Sequence, residues 1–284
     1  MPELPEVEII RRGLEQYVLG KTIKKVDVLF AGIVDAPEVA VFSEKLQGER
    51  IEAILRRGKF LIFKLANHDL LSHLRMEGKY EFHEQKEEMV AKHVHVIFTF
   101  TDDTQLCYKD TRKFGRMTLV EKDQACFYKG LQKLGPEPTV ADFSFLIFWK
   151  QLANLKKSIK PLLLEQKLVV GLGNIYADEV LWKVQIHPRQ PGNTLLQKEV
   201  SALHQAIIEI LAQAIAKGGT TIRSYQNAWG KIGHFQSELK VYGRMGKPCF
   251  RCEAKIEKIQ LTGRGTHYCP KCQKVYERQS RTKA

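Results

Sequence analysis

The chain has 284 residues, 44% hydrophobic and 27% charged, a balance that describes a globular protein with room for about two domains and a sizeable core. It has no apolar run near the roughly 18 residues of a membrane span, and acids at positions 3, 6 and 8 argue against a signal peptide, so a cytoplasmic protein is expected. The formal charge is +13 and the pI about 9.4; eleven Lys or Arg and only three Glu lie between Arg244 and Ala284, which suits a polyanionic partner, nucleic acid foremost.

The opening "MPELPEVEII" predicts a helix within residues 1–18. Pro5 suits the first helical position, and Glu6 and Glu8 suit the positive end of the helix dipole. Val7, Ile10, Leu14 and Tyr17 recur at helical spacing. Pro2 and Glu3 lie ahead of that pattern. Initiator methionine is commonly removed before proline, which would leave Pro2 with a free secondary amine.

To about residue 134 the chain is strand-like. "VDVLF" (26–30), "FLIFKL" (60–65) and "VHVIFTF" (94–100) are β-rich runs, the last with Val94, Val96, Phe98 and Phe100 on one face. "TDDT" and "QLCY" then make a turn and a return strand. These short strands fit a β-sandwich or barrel-like domain. "LGPEPTVADF" (134–143) reads as a linker. Beyond it, "PLLLEQKLVVGLGNIYADEVLW" holds two helical patterns around a Gly-rich turn. Thr194 and Gln197 suggest a capping box before a helix that buries Val200, Leu203, Ile207, Leu211 and Ala214 and stops at "KGG".

Cys249, Cys252, Cys269 and Cys272 form C-x2-C-x16-C-x2-C. Two such knuckles joined by a hairpin suit one tetrahedral zinc, with no position left for a catalytic water. The zinc would be structural, standing in for a core the segment is too short to build. An iron–sulfur cluster is the competing reading. Cys107 and Cys126 read as core thiols. In the hairpin, "GRG" puts Arg264 at the tip between glycines.

Gly171, Gly173 and Asn174 open a helix, a place where N–H groups can meet a phosphate. "LKKSIK" (155–160) offers three lysines with no acid nearby. "RRGKF", "SHLRMEGKY" and "DTRKFGR" mix cations, glycine and an apolar side chain, and such loops can hold phosphates while a wedge enters a base stack. Met76 and Phe114 singly would read as core. Three such loops in one domain favour the wedge.

Together these residues resemble the bacterial formamidopyrimidine-DNA glycosylases over nearly the whole chain. "MPELPEVE", "RRGK", "SHLRMEGKY", "RKFG", "LGPEP", "GLGNIY", "GGTTIRSY", "VYGR" and the four-cysteine hairpin occur in the family's order. The resemblance implies an α+β fold: an N-terminal β-sandwich domain (2–134) with flanking helices, a linker (135–143), a helix–two-turn–helix domain (144–240) and a zinc hairpin module (241–284). It implies a monomer acting on double-stranded DNA that carries oxidised bases or abasic sites, with one structural zinc and no membrane. The implied activity is removal of oxidised purines followed by strand cutting at the abasic site. Pro2 would be the nucleophile and Glu3 the acid and base, with Lys59 and Arg264 at the phosphate-binding and elimination-assisting positions. His93, Arg112, Lys156, Asn174 and Tyr242 would contact DNA, with Val94 standing where the family commonly has an acid beside His93. Met76, Arg112 and Phe114 would fill the gap left by the extruded nucleotide, and a loop near Tyr225–Phe235 would cover the flipped base. Two alternatives are an endonuclease VIII-like enzyme for oxidised pyrimidines and a zinc DNA-binding protein without catalysis.

Overall fold

The computed structural model describes residues 1–84, 92–220 and 235–280. Two compact units are present: the described residues of Met1–Gln132 with Gly218–His234, and those of Lys133–Lys217 with Phe235–Ala284.

The first unit is a β-sandwich with helices. Helix α1 (Leu4–Val18) is followed by β1 (Ile23–Val28), β2 (Val34–Ala36), α2 (Val39–Leu46), β3 (Ile51–Arg57), β4 (Phe60–Leu65), β5 (His68–His73), β6 (Lys79–His83), β7 (Val94–Phe100), β8 (Gln105–Lys109), β9 (Arg116–Glu121) and α3 (Lys129–Gln132). One sheet has the order β2-β9-β5-β4-β3 and the other β1-β7-β8-β6. Among the described residues of these two sheets, only β2 against β9 is parallel. The inner faces meet in one core with Val7, Ile10, Leu14 and Val18 of α1. Phe63 and Leu70 from one sheet and Phe98 and Leu106 from the other belong to it.

Helix α1 differs from the sequence expectation at both ends. Glu3 is its N-cap and Leu4 its first residue, so Pro5 stands second, where its missing N–H is equally harmless. Val18 is fully buried and Tyr17 is 38% exposed, because the apolar stripe drifts by one residue over four turns. In β7, Val96, Phe98 and Phe100 face the core as expected, but the register shifts between Val94 and Val96, so Val94 packs with Ile97 and Cys107 instead; His95 is buried too, and both faces of this strand are covered. Cys107 is buried as a core thiol; Cys126 is exposed.

The second unit holds α4 (Phe145–Leu152), α5 (Ile159–Leu164), α6 (Asn174–Lys183), α7 (Gln197–Ala216) and a hairpin of β10 (Glu257–Leu261) and β11 (Arg264–Tyr268). Residues 134–143 carry no helix or strand and pack within it. Gly135 N donates to Gln166 O at 2.8 Å, and the Phe143 ring stacks on His204 at 4.4 Å. The expected buried residues of α7 are all buried, and Gly218 follows it at φ 78°. Its N-terminus departs from expectation. Thr194 ends a preceding 3-10 turn, and Glu199 accepts from Leu196 N at 2.8 Å instead. Among the described residues, no helix is long and apolar enough to cross a membrane.

Candidate functional site

In the first unit, the chain start, α1 and the β3–β4 turn come together. Glu3 N donates to Glu6 Oε2 at 2.9 Å, closing a reciprocal capping box. The other Glu6 oxygen accepts from Thr220 N and Oγ1 at 2.8 and 3.0 Å. Gly219 sits against this carboxylate at φ 74°, where a Cβ would come within 2.9 Å of Glu6 Oε1. Pro2 is buried, as are Glu3 at 2% and Lys59 at 7% exposure.

Lys59 reaches this place on a two-residue turn between Arg57 and Phe60. That turn is bolted to α1 through Glu8, which accepts from Arg56 at 3.1 Å, from Arg11 at 3.1 Å and from Arg12 at 2.9 Å. Burial opposes ionisation of Glu8, but bonds from Arg11 and Arg12 outweigh it and hold its carboxyl below the usual range. Burial lowers the pKa of the chain's N-terminal amine; Glu3, Glu6 and Glu77 oppose this and Lys59 reinforces it. The amine therefore lies among the side chains that the sequence singled out. His73 is part of the same neighbourhood: burial first, then Arg75 and Lys59, push it down to about 3.

Two further turns carry Met76 and Phe114. Asp110, 1% exposed, accepts from Arg112 N at 3.0 Å, Phe114 N at 2.9 Å and Gly115 N at 2.7 Å. This leaves Phe114 47% exposed, with the Arg112 guanidinium 4.8 Å over its ring. Met76 is half-buried on the turn before Gly78. Both turns close on Tyr108: a Cβ would lie 2.2 Å from its hydroxyl oxygen at Gly78 and 1.7 Å at Gly115. His93 has φ 69°, and its carbonyl accepts from Asp110 N at 3.1 Å, so it is fixed to the same loop. Asp110 was missed in the sequence; a D-x-x-x-F-G run is an Asx-type turn signal that could have found it.

In the second unit, Gly173 is the N-cap of α6 and Asn174 its first residue. Asn174 Nδ2 donates to Gly265 O at 2.9 Å, while its buried Oδ1 has no protein partner among the described residues. The hairpin tip is Thr262–Gly263, at φ 44° and 75°. Arg264 therefore opens the return strand opposite Leu261, not the tip expected from "GRG", because both residues of so tight a turn need positive φ. Its side chain is exposed. The Tyr242 ring meets His267 edge-on at 5.1 Å. Glu179 accepts from the N–H groups of Lys240, Val241 and Tyr242 at 2.8, 2.9 and 2.9 Å. Burial pushes its pKa up against these bonds.

Of the three lysines in "LKKSIK", Lys156 is exposed, Lys157 pairs with Glu165 at 2.8 Å and Lys160 is buried on Asp178 at 2.7 Å. Two of them thus have acids that are distant in sequence, contrary to the sequence reading. Pro2, Glu3 and Lys59 belong to one unit and Asn174, Tyr242 and Arg264 to the other. Of the expected lesion loop, residues 225–234 lie outside the described residues; Phe235 is 5.7 Å from Tyr176.

The four expected cysteines converge, with sulfurs all within 4.8 Å of one another. Cys249 is buried and opposed in ionisation by that burial, yet N–H groups of Arg251, Trp182 and Cys252 hold it down to about 6. Cys269 and Cys272 are pushed up by burial beside other sulfurs. A divalent cation reverses that penalty, so the donor set fits one structural zinc, with four sulfur ligands and a closed coordination sphere.

Known proteins are similar to this chain in sequence and fold. Residues 1–117 match the family model of the formamidopyrimidine-DNA glycosylase N-terminal domain, 134–226 that of its H2TH domain, and 246–275 that of the zinc finger found in FPG and IleRS. The chain is 59% identical to the formamidopyrimidine-DNA glycosylase of Enterococcus faecalis over 275 residues, 97% of this chain and 98% of the relative. It is 52% identical to that of Latilactobacillus sakei, over 96% and 98% of the two chains. The fold matches a Lactococcus lactis FPG mutant solved with a Fapy-dG containing DNA, at TM-score 0.91 and 46% identity over 96% of this chain and 99% of that one. The Lactococcus lactis Fpg solved with an abasic site containing DNA matches at the same TM-score and identity, over 95% and 99%. The chain belongs to the formamidopyrimidine-DNA glycosylase family of DNA-repair enzymes.

Proposed function

We propose that this protein excises oxidised purines, 8-oxoguanine and formamidopyrimidines, from duplex DNA and then cuts the strand on both sides of the abasic site. The observation that carries the reading is the chain start itself: Pro2, Glu3 and Lys59 are buried together, and partial burial lowers the pKa of the adjoining N-terminal amine, with Glu3 and Glu6 opposing and Lys59 reinforcing. While Met1 is attached the amine belongs to Met1 and the Pro2 nitrogen is acylated, so the reading requires Met1 to be removed. The Pro2 secondary amine then attacks C1′ of the damaged nucleotide and the base departs with the glycosidic electron pair. Glu3 gives and takes the protons at the sugar. The amine sheds its proton and the C1′–O4′ bond then breaks, O4′ leaving with the electron pair and taking a proton, so that C1′ and the Pro2 nitrogen form an iminium cation. That cation is an electron sink: loss of the C2′ proton expels the 3′ phosphate, and a second elimination expels the 5′ phosphate.

Lys59 and Arg264 serve as the cations for the phosphates. Arg112, Met76 and Phe114 occupy the vacated stack, which offsets the unstacking of the flipped nucleotide. Lys156, His93, Asn174 and Tyr242 contact the DNA, and the unpartnered Asn174 Oδ1 supports this for Asn174. The protein acts as a monomer on DNA in the cytoplasm.

The test is borohydride trapping on an oligonucleotide with one 8-oxoguanine opposite cytosine, beside a matched oxidised-pyrimidine substrate. The adduct is expected on the first peptide, at Pro2, with faster trapping on the purine lesion. An adduct on Lys59 would refute the nucleophile; faster trapping on the pyrimidine would favour the endonuclease VIII-like reading.

A further inference from the structure

We propose that the buried Lys160–Asp178 ion pair positions Arg264 by locking the strand that carries it. The proposal rests on the reading of Arg264 as a phosphate ligand in the elimination steps. Lys160 on α5 is 1% exposed and Asp178 on α6 is fully buried, with Nζ and Oδ1 2.7 Å apart. The same ammonium donates to Thr266 Oγ1 at 2.8 Å, with Gly265 O at 3.4 Å. The Thr266 hydroxyl donates in turn to the Arg264 carbonyl at 3.2 Å. The other Asp178 oxygen accepts from His267 N at 2.8 Å, and Asn174 Nδ2 holds Gly265 O at 2.9 Å. The backbone of residues 264, 265 and 267 and the side chain of Thr266 are thus reached by this chain of bonds, while the Arg264 side chain stays exposed.

A two-stranded hairpin is barely stable alone and holds its register weakly. Here a shift of β11 would leave the ion pair in place but cost the buried ammonium its Thr266 hydroxyl acceptor and the buried carboxylate its His267 N–H donor, which is unfavourable for buried charged groups. The position of the strand is therefore sharply defined. A guanidinium that must meet a phosphate in one geometry gains from a backbone fixed beforehand. The arrangement makes Lys160 and Asp178 positioning residues: they lie behind the strand and touch no DNA.

The test is single-turnover cutting at an abasic site by zinc-loaded protein, with T266V and D178N each made in the wild-type and the Arg264→Ala backgrounds. T266V is nearly isosteric and removes the hydroxyl that joins the Lys160 ammonium to the Arg264 carbonyl. The double variant K160M/D178L replaces the pair by apolar groups, should D178N fail to fold. Each is expected to keep one zinc per chain and a cooperative melt, yet to cut about tenfold more slowly. In the Arg264→Ala background the same changes are expected to have no further effect, because they act through Arg264. Equal losses in both backgrounds would mean a purely structural role, and wild-type rates in folded T266V and K160M/D178L would overturn the proposal. If Arg264→Ala itself cuts at the wild-type rate, the role given to Arg264 fails and the positioning role with it; if Arg264→Ala is slow and the others are not, only the positioning role fails.

Discussion

Asp110 accepts the backbone N–H of Phe114 at 2.9 Å and thereby keeps a large aromatic residue at the surface. The same carboxylate holds Arg112 N and Gly115 N, so one buried acid shapes the whole loop. Phe114→Ala is expected to leave folding stability within about 0.5 kcal/mol of wild type, as for an exposed side chain, while slowing excision from duplex about tenfold or more. Asp110→Asn replaces an acceptor oxygen with an NH2 group facing N–H donors. It is expected to cost about 1–3 kcal/mol of stability and to slow excision as well. Urea unfolding beside single-turnover excision separates the two. A Phe114→Ala protein that unfolds far earlier but excises normally would make Phe114 a core residue.

Gly115→Ala is expected to destabilise by about 1–3 kcal/mol or more through overpacking, since its Cβ would lie 1.7 Å from the Tyr108 hydroxyl oxygen. Tyr108→Phe removes that oxygen and is expected to restore part of the loss. The two substitutions should therefore be non-additive in a thermal-melt cycle. Additive effects would show that the contact is relieved elsewhere.

Zinc removal has a local reporter, because Trp182 Nε1 donates to Cys249 Sγ at 3.4 Å and the Arg251 guanidinium lies 4.0 Å over the same ring. Chelation, or Cys252→Ser, is expected to release one zinc per chain, change the tryptophan emission and abolish DNA binding. Metal analysis of active protein checks the stoichiometry; active zinc-free protein would contradict it.

His73 predicts an acid-sensitive stability. Its folded pKa lies near 3 against 6.5 unfolded, so between these values the unfolded chain binds more protons. Its contribution is complete above about pH 6.5 and is lost as pH falls toward 3, with a limiting slope of about 1.4 kcal/mol per pH unit. His73→Gln is expected to flatten the stability profile from pH 6 to 4, measured by urea midpoints. An unchanged slope would place the acid sensitivity elsewhere, with His187, lowered to about 4, the next residue to replace.

The zinc ligands, the α7 face and strands such as Phe60–Leu65 and Val94–Phe100 were legible because their information is local. Ligand spacing within each knuckle, helical period and strand runs are all read within a few turns of chain. The turn residues were partly legible: Arg264 was found, but its place one residue past the tip depends on which two residues take positive φ. What the sequence could not disclose were partners far apart along it. Thr220 and Glu6 are 214 residues apart, Thr266 and Lys160 are 106 apart, and His267 and Asp178 are 89 apart. Lys160 is one of three lysines with no acid nearby in sequence, and in the fold it is a buried ion. Residue type alone decides neither outcome. A lysine is buried only where the fold brings it a carboxylate and further acceptors that outweigh its desolvation, and that balance exists only once the chain has closed around it.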